Sequence, residues 1–392
     1  MITVLIVIAV AVTGWVYAIC RLVNRLSTLA DRLVRLSQVG YVVLVSAPLV
    51  YALAVMELRE YAHGLWGIEM RLAKQAPRAV SMVGVGVIVV LCELVRRPLE
   101  LRFRRRRVGK AVELVNHYVE DDRRLYAGSR AWQARVAQML SYVPGNHITE
   151  LHVVHYQVHP LAARLPGKFR IVHLSDLHYA GWLPDAVAAR IVRVVNELKA
   201  DVIALTGDYV STWRGAGKVQ ELVGSLRARA GVFYVCGNHD IWEGEERVHA
   251  MMGAVGCEHV GGRTVAVGVD GGTVYLAGTN RPWRRDQLSE VLRELPVGAC
   301  CIVLSHHPDN VFWLRRARAA LVLSGHTHGG QIALPRLGPL LVPSARGSAH
   351  AAGFIRYGET LLYINYGLGV VFPVRILCPP EVACFDLDPG GG

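Results

Sequence analysis

Apolar residues are distributed differently in the first 95 residues and in the rest of the chain. The first part contains long uncharged stretches, and the rest contains short apolar runs between polar segments. Residues 1–95 contain three long stretches with few or no charges, Met1–Cys20, Leu36–Met56 and Ala79–Val95. A helix that spans a bilayer needs roughly 20 apolar residues, with a range of about 17–25. The first two stretches meet this requirement and the third is marginal. This part of the chain is therefore predicted to form two or three transmembrane helices.

The first apolar stretch is interpreted as a retained helix. It has no basic start and no clear small-residue cleavage site, which a secretory signal would carry. The cluster Arg96–Arg107 directly follows the third stretch, and basic segments beside membrane helices tend to lie in the cytoplasm. We therefore expect a multi-pass protein of the cell membrane, with the downstream part of the chain on the cytoplasmic face.

Positive charge is concentrated in the same part of the chain. The net charge is +12, and residues 1–110 hold 16 Lys and Arg against 6 Asp and Glu. Residues 111–392 hold 27 against 25, so this part is nearly balanced. A nucleic-acid-binding surface usually has a strong basic excess, and no nucleic-acid partner is expected here.

The pattern changes after the basic cluster. We interpret residues 1–110 as the membrane region, 111–147 as a helical linker, 148–387 as a globular domain and 388–392 as a tail. Within 148–387, short β-branched runs alternate with amphipathic helical segments. Helices between strands are typical of a layered α/β fold. The hairpin-like strands late in the chain argue against a purely parallel sheet.

Five apolar runs of the globular domain end in side chains that can bind metals. Each run is followed closely, often through a glycine or serine, by such residues: Asp176 and His178; Asp208; Asn238, His239 and Asp240; His306 and His307; His326 and His328. Ligands and catalytic groups cluster at the carboxyl ends of strands in α/β sheets. The sequence therefore predicts that these side chains meet in one site.

The residue types indicate a metal-dependent hydrolase. Mixed carboxylate and imidazole ligands suit first-row divalent ions such as manganese, iron, zinc or cobalt. These candidate ligands are more than one ion would bind. Two ions about 3.5–4 Å apart that share a carboxylate could coordinate all of them. Such a pair clamps a phosphate and lowers the pKa of a bridging water, whose hydroxide attacks phosphorus in line.

The motifs SDLH, TGDYV, GNHD, SHHPD and GHTHGGQ, in this order, resemble those of the calcineurin-like metallophosphoesterases. The resemblance covers about Ile148–Leu387 and looks closest to the bacterial branch with an N-terminal membrane segment. It implies a layered α/β fold, a β-sandwich flanked by helices, here preceded by an α-helical transmembrane region. It also implies two divalent metal ions, with manganese expected first, and hydrolysis of a phosphoester or pyrophosphate bond.

The resemblance also implies a role for each matched residue. The ligands of the first metal would be Asp176, His178 and His328, those of the second Asn238, His306 and His326, and Asp208 would bridge both. His239 would contact the transferring phosphate and protonate the leaving oxygen. Asp240 would orient His239, as a carboxylate commonly does for a catalytic imidazole. In the pair of histidines at 306–307, the expected ligand is His306.

Several alternatives stay open at this point. The membrane region suggests a lipid-linked substrate, and the UDP-2,3-diacylglucosamine pyrophosphatases are a related precedent. A binding scaffold without catalysis and a transporter or sensor are alternative hypotheses. Aromatic and aliphatic residues lie between the motifs and are candidates for a lid or acyl-chain groove: Trp182, Leu183, Trp213, Trp242 and Trp283. His152, His155 and His159 are interpreted as surface residues of a strand, since no carboxylate is expected to contact them.

Overall fold

The computed structural model describes residues 69–388, apart from 127–128, 130, 162–164, 166, 180–182, 270, 283–287, 316–318, 340 and 371–372. The predicted spans Met1–Cys20 and Leu36–Met56 lie outside these residues. The third stretch falls within a helix, but the side chains of residues 79–87 and 89 are also outside the described part. In the part of the chain that is described, no helix has both the length and the apolar character needed to cross a membrane.

Contacts divide the chain into two compact units. The described residues of the first unit are 69–102 and 334–348, apart from 340, and they contain most of helix α1 (Glu69–Val108). The buried Glu93 of this helix accepts hydrogen bonds from Arg96 at 2.6–3.0 Å. The carbonyl of Ser348 accepts a hydrogen bond from Arg97 at 3.1 Å. A two-stranded ribbon pairs β11 (Ala333–Leu334) with β12 (Gly338–Pro339).

The second unit comprises Phe103–Ala333 and Ala349–Gly392 and contains two large sheets. The seven-stranded sheet has the order β1-β2-β15-β3-β4-β5-β6. Its strands are β1 (Val112–Asp121), β2 (Glu150–Val158), β3 (Phe169–Leu174), β4 (Val202–Leu205), β5 (Gly231–Tyr234), β6 (Glu258–His259) and β15 (Glu381–Leu387). Strands β3 to β6 run parallel, whereas β1 is antiparallel to β2 and β15 is antiparallel to β3.

The six-stranded sheet has the order β13-β14-β10-β9-β8-β7. Its strands are β7 (Thr264–Val269), β8 (Gly272–Gly278), β9 (Cys300–Leu304), β10 (Leu321–Ser324), β13 (Gly353–Tyr357) and β14 (Thr360–Ile364). The strands β8, β9, β10 and β14 are parallel, and hairpins at both edges add antiparallel strands. The sheets are therefore mixed, as the hairpin-like sequences predicted.

Three apolar clusters hold these layers together. One lies between the sheets and joins residues such as Ile171 and Phe233 to Leu276 and Leu321. The second packs the seven-stranded sheet against α3 (Asp185–Glu197), α4 (Ala216–Gly224) and α5 (Asn238–Gly253). The third packs the six-stranded sheet against α6 (Leu288–Val291) and α7 (Val311–Leu314). The second unit is thus a β-sandwich flanked by helices, which confirms the predicted layered α/β class.

The interpretation of residues 111–147 as a helical linker is wrong for its first part. Val112–Asp121 forms strand β1, which pairs with β2 with one register shift between Leu114 and Asn116. Among the described residues of this range, α2 (Trp132–Leu140) is the one α-helix. The segment VELVNHYVED is rich in valine and tyrosine, which favour strands. Its partner lies about 40 residues away, so a local helical pattern could not reveal the pairing.

Candidate metal centre

The five predicted motifs follow the carboxyl ends of β3, β4, β5, β9 and β10. Within each sheet these strands are parallel, so their ends lie at one edge. The side chains converge from both sheets. The structure brings together all seven residues that the resemblance implied as metal ligands. They form two groups that share the carboxylate of Asp208.

The first group comprises Asp176, His178 and His328. The Nε2 atoms of the two imidazoles lie 3.0 Å apart. Oδ1 of Asp176 lies 3.4 Å from Nε2 of His328 and 3.8 Å from Nε2 of His178. All three ligand atoms therefore face a common point.

The second group comprises Asn238, His306 and His326. Nε2 of His306 lies 3.1 Å from Oδ1 of Asn238 and 3.1 Å from Nδ1 of His326. The neighbouring His307 lies beside this group, with its ring centroid 4.5 Å from that of His326, and its Nδ1 accepts a hydrogen bond from the backbone N–H of Asp309 at 3.2 Å. Nε2 of His306, by contrast, contacts both Asn238 and His326, which agrees with the sequence-based choice of His306.

Asp208 lies between the two groups. Its Oδ2 atom is 3.5 Å from Nε2 of His178 in the first group and 3.3 Å from Nε2 of His306 in the second. Its Oδ1 atom accepts a hydrogen bond from the backbone N–H of His239 at 2.8 Å. The backbone N–H of His239 thus holds the Asp208 carboxylate within 3.5 Å of an imidazole of each group.

Five of the seven residues adopt a left-handed backbone. The φ angles are 52° at Asp176, 44° at His178, 57° at Asp208, 72° at His326 and 50° at His328. Such angles are uncommon for residues other than glycine, and they recur at functional sites where the surrounding structure enforces them. Backbone bonds between the loops provide this support, including Asp176 N to Gly207 O and His178 N to Asp208 O, both 2.9 Å.

Hydrogen bonds behind the ligands orient the imidazoles. Nδ1 of His306 donates to the carbonyl of Thr206 at 2.7 Å, which turns Nε2 toward the site. Nδ1 of His178 lies 3.0 Å from the hydroxyl of Ser211. The Ser175 hydroxyl donates to Oδ2 of Asp176 at 2.6 Å. Such outer contacts fix the tautomer and direction of metal-binding histidines.

Burial sets the charge state of most of these groups. It lowers the pKa of His178 to about 3 and holds the pKa values of His326 and His328 well below the usual range. Burial alone would also lower the pKa of His306, but the Asp208 carboxylate outweighs it and raises the value to about 9. For Asp208, burial opposes ionisation, yet the nearby imidazoles, His306 first, keep its pKa well below the ordinary value.

The donor set fits two divalent cations. In the first group, the Nε2 atoms of two imidazoles with lowered pKa values lie 3.0 Å apart, a distance that a shared proton or a cation between them would explain. In the second group, Nε2 of His306 lies 3.1 Å from Nδ1 of His326, and the raised pKa of His306 shows that the site attracts positive charge. Each group offers imidazole nitrogen together with carboxylate or amide oxygen, a combination that suits manganese, iron, zinc or cobalt. No thiolate takes part in either group among the described residues.

His239 lies at the side of this centre. Its imidazole is half-buried, and it packs edge-on against His178 with ring centroids 4.7 Å apart. The ring of Trp242 lies 4.8 Å away on the other side, and this indole is 42% exposed. Of the five predicted lid residues, Trp182 and Trp283 lie outside the described part, and Leu183 and Trp213 pack against the core.

The expected contact between Asp240 and His239 is not formed. Asp240 is fully buried, and its carboxylate accepts backbone N–H groups of Gly237 at 2.8 Å, Asp208 at 2.7 Å and Tyr209 at 2.9 Å. Among the hydrogen bonds of the described residues, none joins this carboxylate to the imidazole of His239. Asp240 lies in the first turn of α5, and its side chain points toward the loop that contains Asp208.

Arg375 is a supporting residue that sequence reasoning missed. Its fully buried guanidinium lies 3.5 Å from Nδ1 of His328 and donates to the carbonyls of Tyr366, Gly369 and Cys378 at 2.9, 2.5 and 3.1 Å. An arginine in an apolar segment, NYGLGVVFPVRILC, was the available signal. Burial lowers its pKa only to about 10, so the group stays charged at neutral pH.

Comparison with known proteins agrees with the fold and the site. The sequence model of the family "Calcineurin-like phosphoesterase" matches residues 169–330, which carry all five motifs. The chain is 32% identical over 231 residues to "Uncharacterized metallophosphoesterase YkuE" of Bacillus subtilis (strain 168), covering 56% of this chain and 79% of that protein. The chain belongs to the calcineurin-like phosphoesterase family and is a hydrolase.

Two further relatives carry more specific names. "Phosphodiesterase YaeI" of Escherichia coli (strain K12) is 29% identical over 224 residues, which are 56% of this chain and 82% of that protein. "UDP-2,3-diacylglucosamine pyrophosphatase LpxG" of Chlamydia muridarum (strain MoPn / Nigg) is 26% identical over 309 residues, which are 63% of this chain and 92% of that protein. The name of the first relative refers to a phosphodiester bond and that of the second to a pyrophosphate bond.

Proposed function

We propose that the protein is a dinuclear metal-dependent hydrolase of a phosphodiester or pyrophosphate bond in a lipid-linked substrate. The position of Asp208 is the main support for a site with two ions, because its Oδ2 lies 3.3–3.5 Å from one imidazole of each group. When two divalent ions are bound, they supply Lewis-acid activation of water and phosphate at neutral pH. Manganese is the first candidate.

Each residue group has its own part in this proposal. Asp176, His178 and His328 would hold one ion, and Asn238, His306 and His326 would hold the other. Asp208, which lies between the two groups, would contribute its carboxylate to both. Water adds to phosphorus as the bond to the leaving oxygen breaks, the imidazole of His239 donates the proton that this oxygen takes up, and the proton released by the water passes to solvent, from which His239 is reprotonated. His239 suits this role because its side chain is only half-buried beside the centre.

Two observations support a lipid-linked substrate. LpxG, named for a diacylated sugar nucleotide, is similar to this chain over 63% of its length. Trp242 places an exposed indole beside His239, where it can cover an apolar group next to the phosphate. The predicted transmembrane stretches would keep the hydrolase at a bilayer, and we propose that it faces the cytoplasm. A protease-protection assay on membrane vesicles tests this sidedness.

The experiment that tests the reaction uses the purified full-length chain, stripped of metal and reloaded with Mn²⁺. Hydrolysis of bis-p-nitrophenyl phosphate, p-nitrophenyl phosphate and UDP-2,3-diacylglucosamine is measured. Asp208→Asn keeps the size of the side chain and is expected to reduce turnover by more than about 100-fold, as is His239→Ala. Glu246→Gln, an exposed change on α5, is the matched control.

The outcomes separate the alternatives. Metal-dependent turnover that both variants abolish supports the hydrolase, and the preferred substrate identifies the bond. Trp242→Ala should raise KM for the acylated substrate and leave that for the nitrophenyl diester unchanged. A folded protein that binds two ions but turns over none of the three substrates would contradict the proposal and favour a scaffold without catalysis.

A further inference from the structure

A second cluster of metal-binding side chains lies at the start of β2. His147 sits in the turn before this strand, Glu150 is its first residue and His152 its third. None of these residues belongs to the two groups around Asp208. His152 lies on a strand and is partly exposed, as expected, but the expectation that no carboxylate contacts it is wrong, because Glu150 lies 2.8 Å from its Nε2.

The three ligand atoms already converge. Oε2 of Glu150 lies 2.8 Å from Nδ1 of His147 and 2.8 Å from Nε2 of His152. The three atoms all lie within 4.8 Å of one another. Ligand bonds of about 2.0–2.2 Å in a tetrahedron place ligand atoms roughly 3.3–3.6 Å apart, so a small opening of the cluster admits an ion.

Local backbone structure builds this arrangement. Glu150 and His152 are two residues apart on an extended strand, so their side chains point to the same face. The backbone N–H of Glu150 donates to the carbonyl of His147 at 3.1 Å, and this turn brings the third side chain over the same face. The backbone N–H of His147 is itself fixed by the carbonyl of Arg375 at 2.9 Å.

Two details favour a cation over a simple hydrogen-bonded cluster. Nδ1 of His147 is buried and, despite its closeness to the carboxylate, makes no hydrogen bond of good geometry with any described residue. Nδ1 of His152 lies 3.1 Å from Nε2 of His117 on β1. If Nε2 of His152 binds an ion, its Nδ1–H can donate to His117, which is the outer contact typical of metal-binding histidines.

We propose that His147, Glu150 and His152 form a mononuclear site for a zinc-type divalent cation, with His117 as its outer hydrogen-bond partner. Two imidazoles and one carboxylate suit zinc, cobalt or nickel far better than magnesium or calcium, which prefer all-oxygen ligands. The three side chains are 16–24% exposed, so the fourth position is open to water. Such an ion would link strand β2, at its antiparallel pairing with β1, to the turn that precedes β2.

The test is a count of bound zinc on the full-length chain. Equilibrium dialysis against Zn²⁺, followed by elemental analysis, compares the unchanged protein with Glu150→Gln and His152→Gln. Each variant should bind roughly one equivalent fewer per chain, because a site with two remaining ligands holds zinc weakly. His159→Gln, at a histidine just beyond the end of β2 that is outside the cluster, is the matched control.

Two further variants complete the design. His117→Ala should keep the stoichiometry but weaken the affinity of this one site by about 10–100-fold, the range for loss of an outer partner. His147→Ala, in the turn, replaces the strand variants if they fail to fold. Hydrolysis of bis-p-nitrophenyl phosphate should persist in all of them, which separates this site from the centre at Asp208. Equal zinc stoichiometry and affinity in the unchanged protein, Glu150→Gln and His152→Gln would overturn the proposal.

Discussion

The carboxylate of Asp240 holds the backbone of Asp208. Its Oδ2 atom accepts the N–H of Asp208 at 2.7 Å and that of Gly237 at 2.8 Å, and its Oδ1 atom accepts the N–H of Tyr209 at 2.9 Å. Burial, followed by the charge of Asp208, raises the pKa of Asp240 to about 7, whereas the N–H groups of Gly237 and Tyr209 favour its ionised form. Asp240 is therefore a positioning residue for the shared carboxylate.

The Asp240→Asn variant tests this positioning. The amide offers one acceptor oxygen in place of two, so at least one buried N–H loses its partner, at a cost of about 1–3 kcal/mol in the free energy of unfolding. We also expect Mn²⁺ affinity to fall by about 10–100-fold, because the loop that carries Asp208 shifts. Urea unfolding and metal titration measure both quantities. A loss of kcat with unchanged stability and metal affinity would instead support a role in orienting His239.

Gly237 lies so close to Asp208 that no side chain fits there. A Cβ atom at Gly237 would lie 2.1 Å from Oδ1 and 2.5 Å from the backbone nitrogen of Asp208. Gly237→Ala should therefore displace the shared carboxylate, and displacements of about 1 Å can cost roughly 100-fold in rate. Turnover of bis-p-nitrophenyl phosphate measures the effect. Gly253→Ala at the end of α5, with nothing within 4 Å of its Cβ, should leave the rate unchanged.

Arg375 supports the loop that follows β14. The N–H groups of Leu368 and Gly369 donate to the carbonyls of Ser175 and Asp176 at 3.0 and 2.7 Å, so this loop is attached to the first metal group. Arg375→Lys cannot reach three carbonyls, and we expect a loss of about 2 kcal/mol or more in the free energy of unfolding. Arg227→Lys is the control, since this exposed arginine also donates to carbonyls and its change should cost within about 0.5 kcal/mol.

His173 should make the stability of the protein depend on pH. Burial lowers its pKa to about 3, whereas the unfolded chain has the ordinary value of about 6.5. The unfolded state therefore binds one more proton between these values, and stability falls as pH falls from about 6.5 toward 3. The contribution of one group is at most about 1.4 kcal/mol per pH unit.

The free energy of unfolding, measured with EDTA from pH 7 to pH 4, tests this dependence. His173→Gln should reduce the slope of the free energy of unfolding against pH by up to the amount that corresponds to one proton. This change in slope is expected whatever the effect of the substitution on absolute stability. Val172→Ala, at an equally buried neighbour on β3, should lower stability without changing the slope. Identical slopes for His173→Gln and the unchanged protein would show that His173 does not carry this effect.

The sequence by itself determined the strand-end motifs and the layered α/β class. Asp176, Asp208 and Asn238 follow adjacent parallel strands of one sheet, so sequence order and strand pattern suffice to place them at one edge. The ligand types then limit the chemistry to first-row divalent ions. The choice of His306 over His307 came from the resemblance to the family, and the contacts of His306 with Asn238 and His326 agree with it.

Only the tertiary structure decided the contacts between distant segments. The local pattern predicts a helix where strand β1 forms, because the pairing of β1 with β2 is not local. The same pairing brings His117 to His152. The partners of Asp240 and Arg375 are backbone groups, which carry no sequence signature. Periodicity reports which face of an element is buried, whereas the direction of a polar side chain depends on the loops that fold around it.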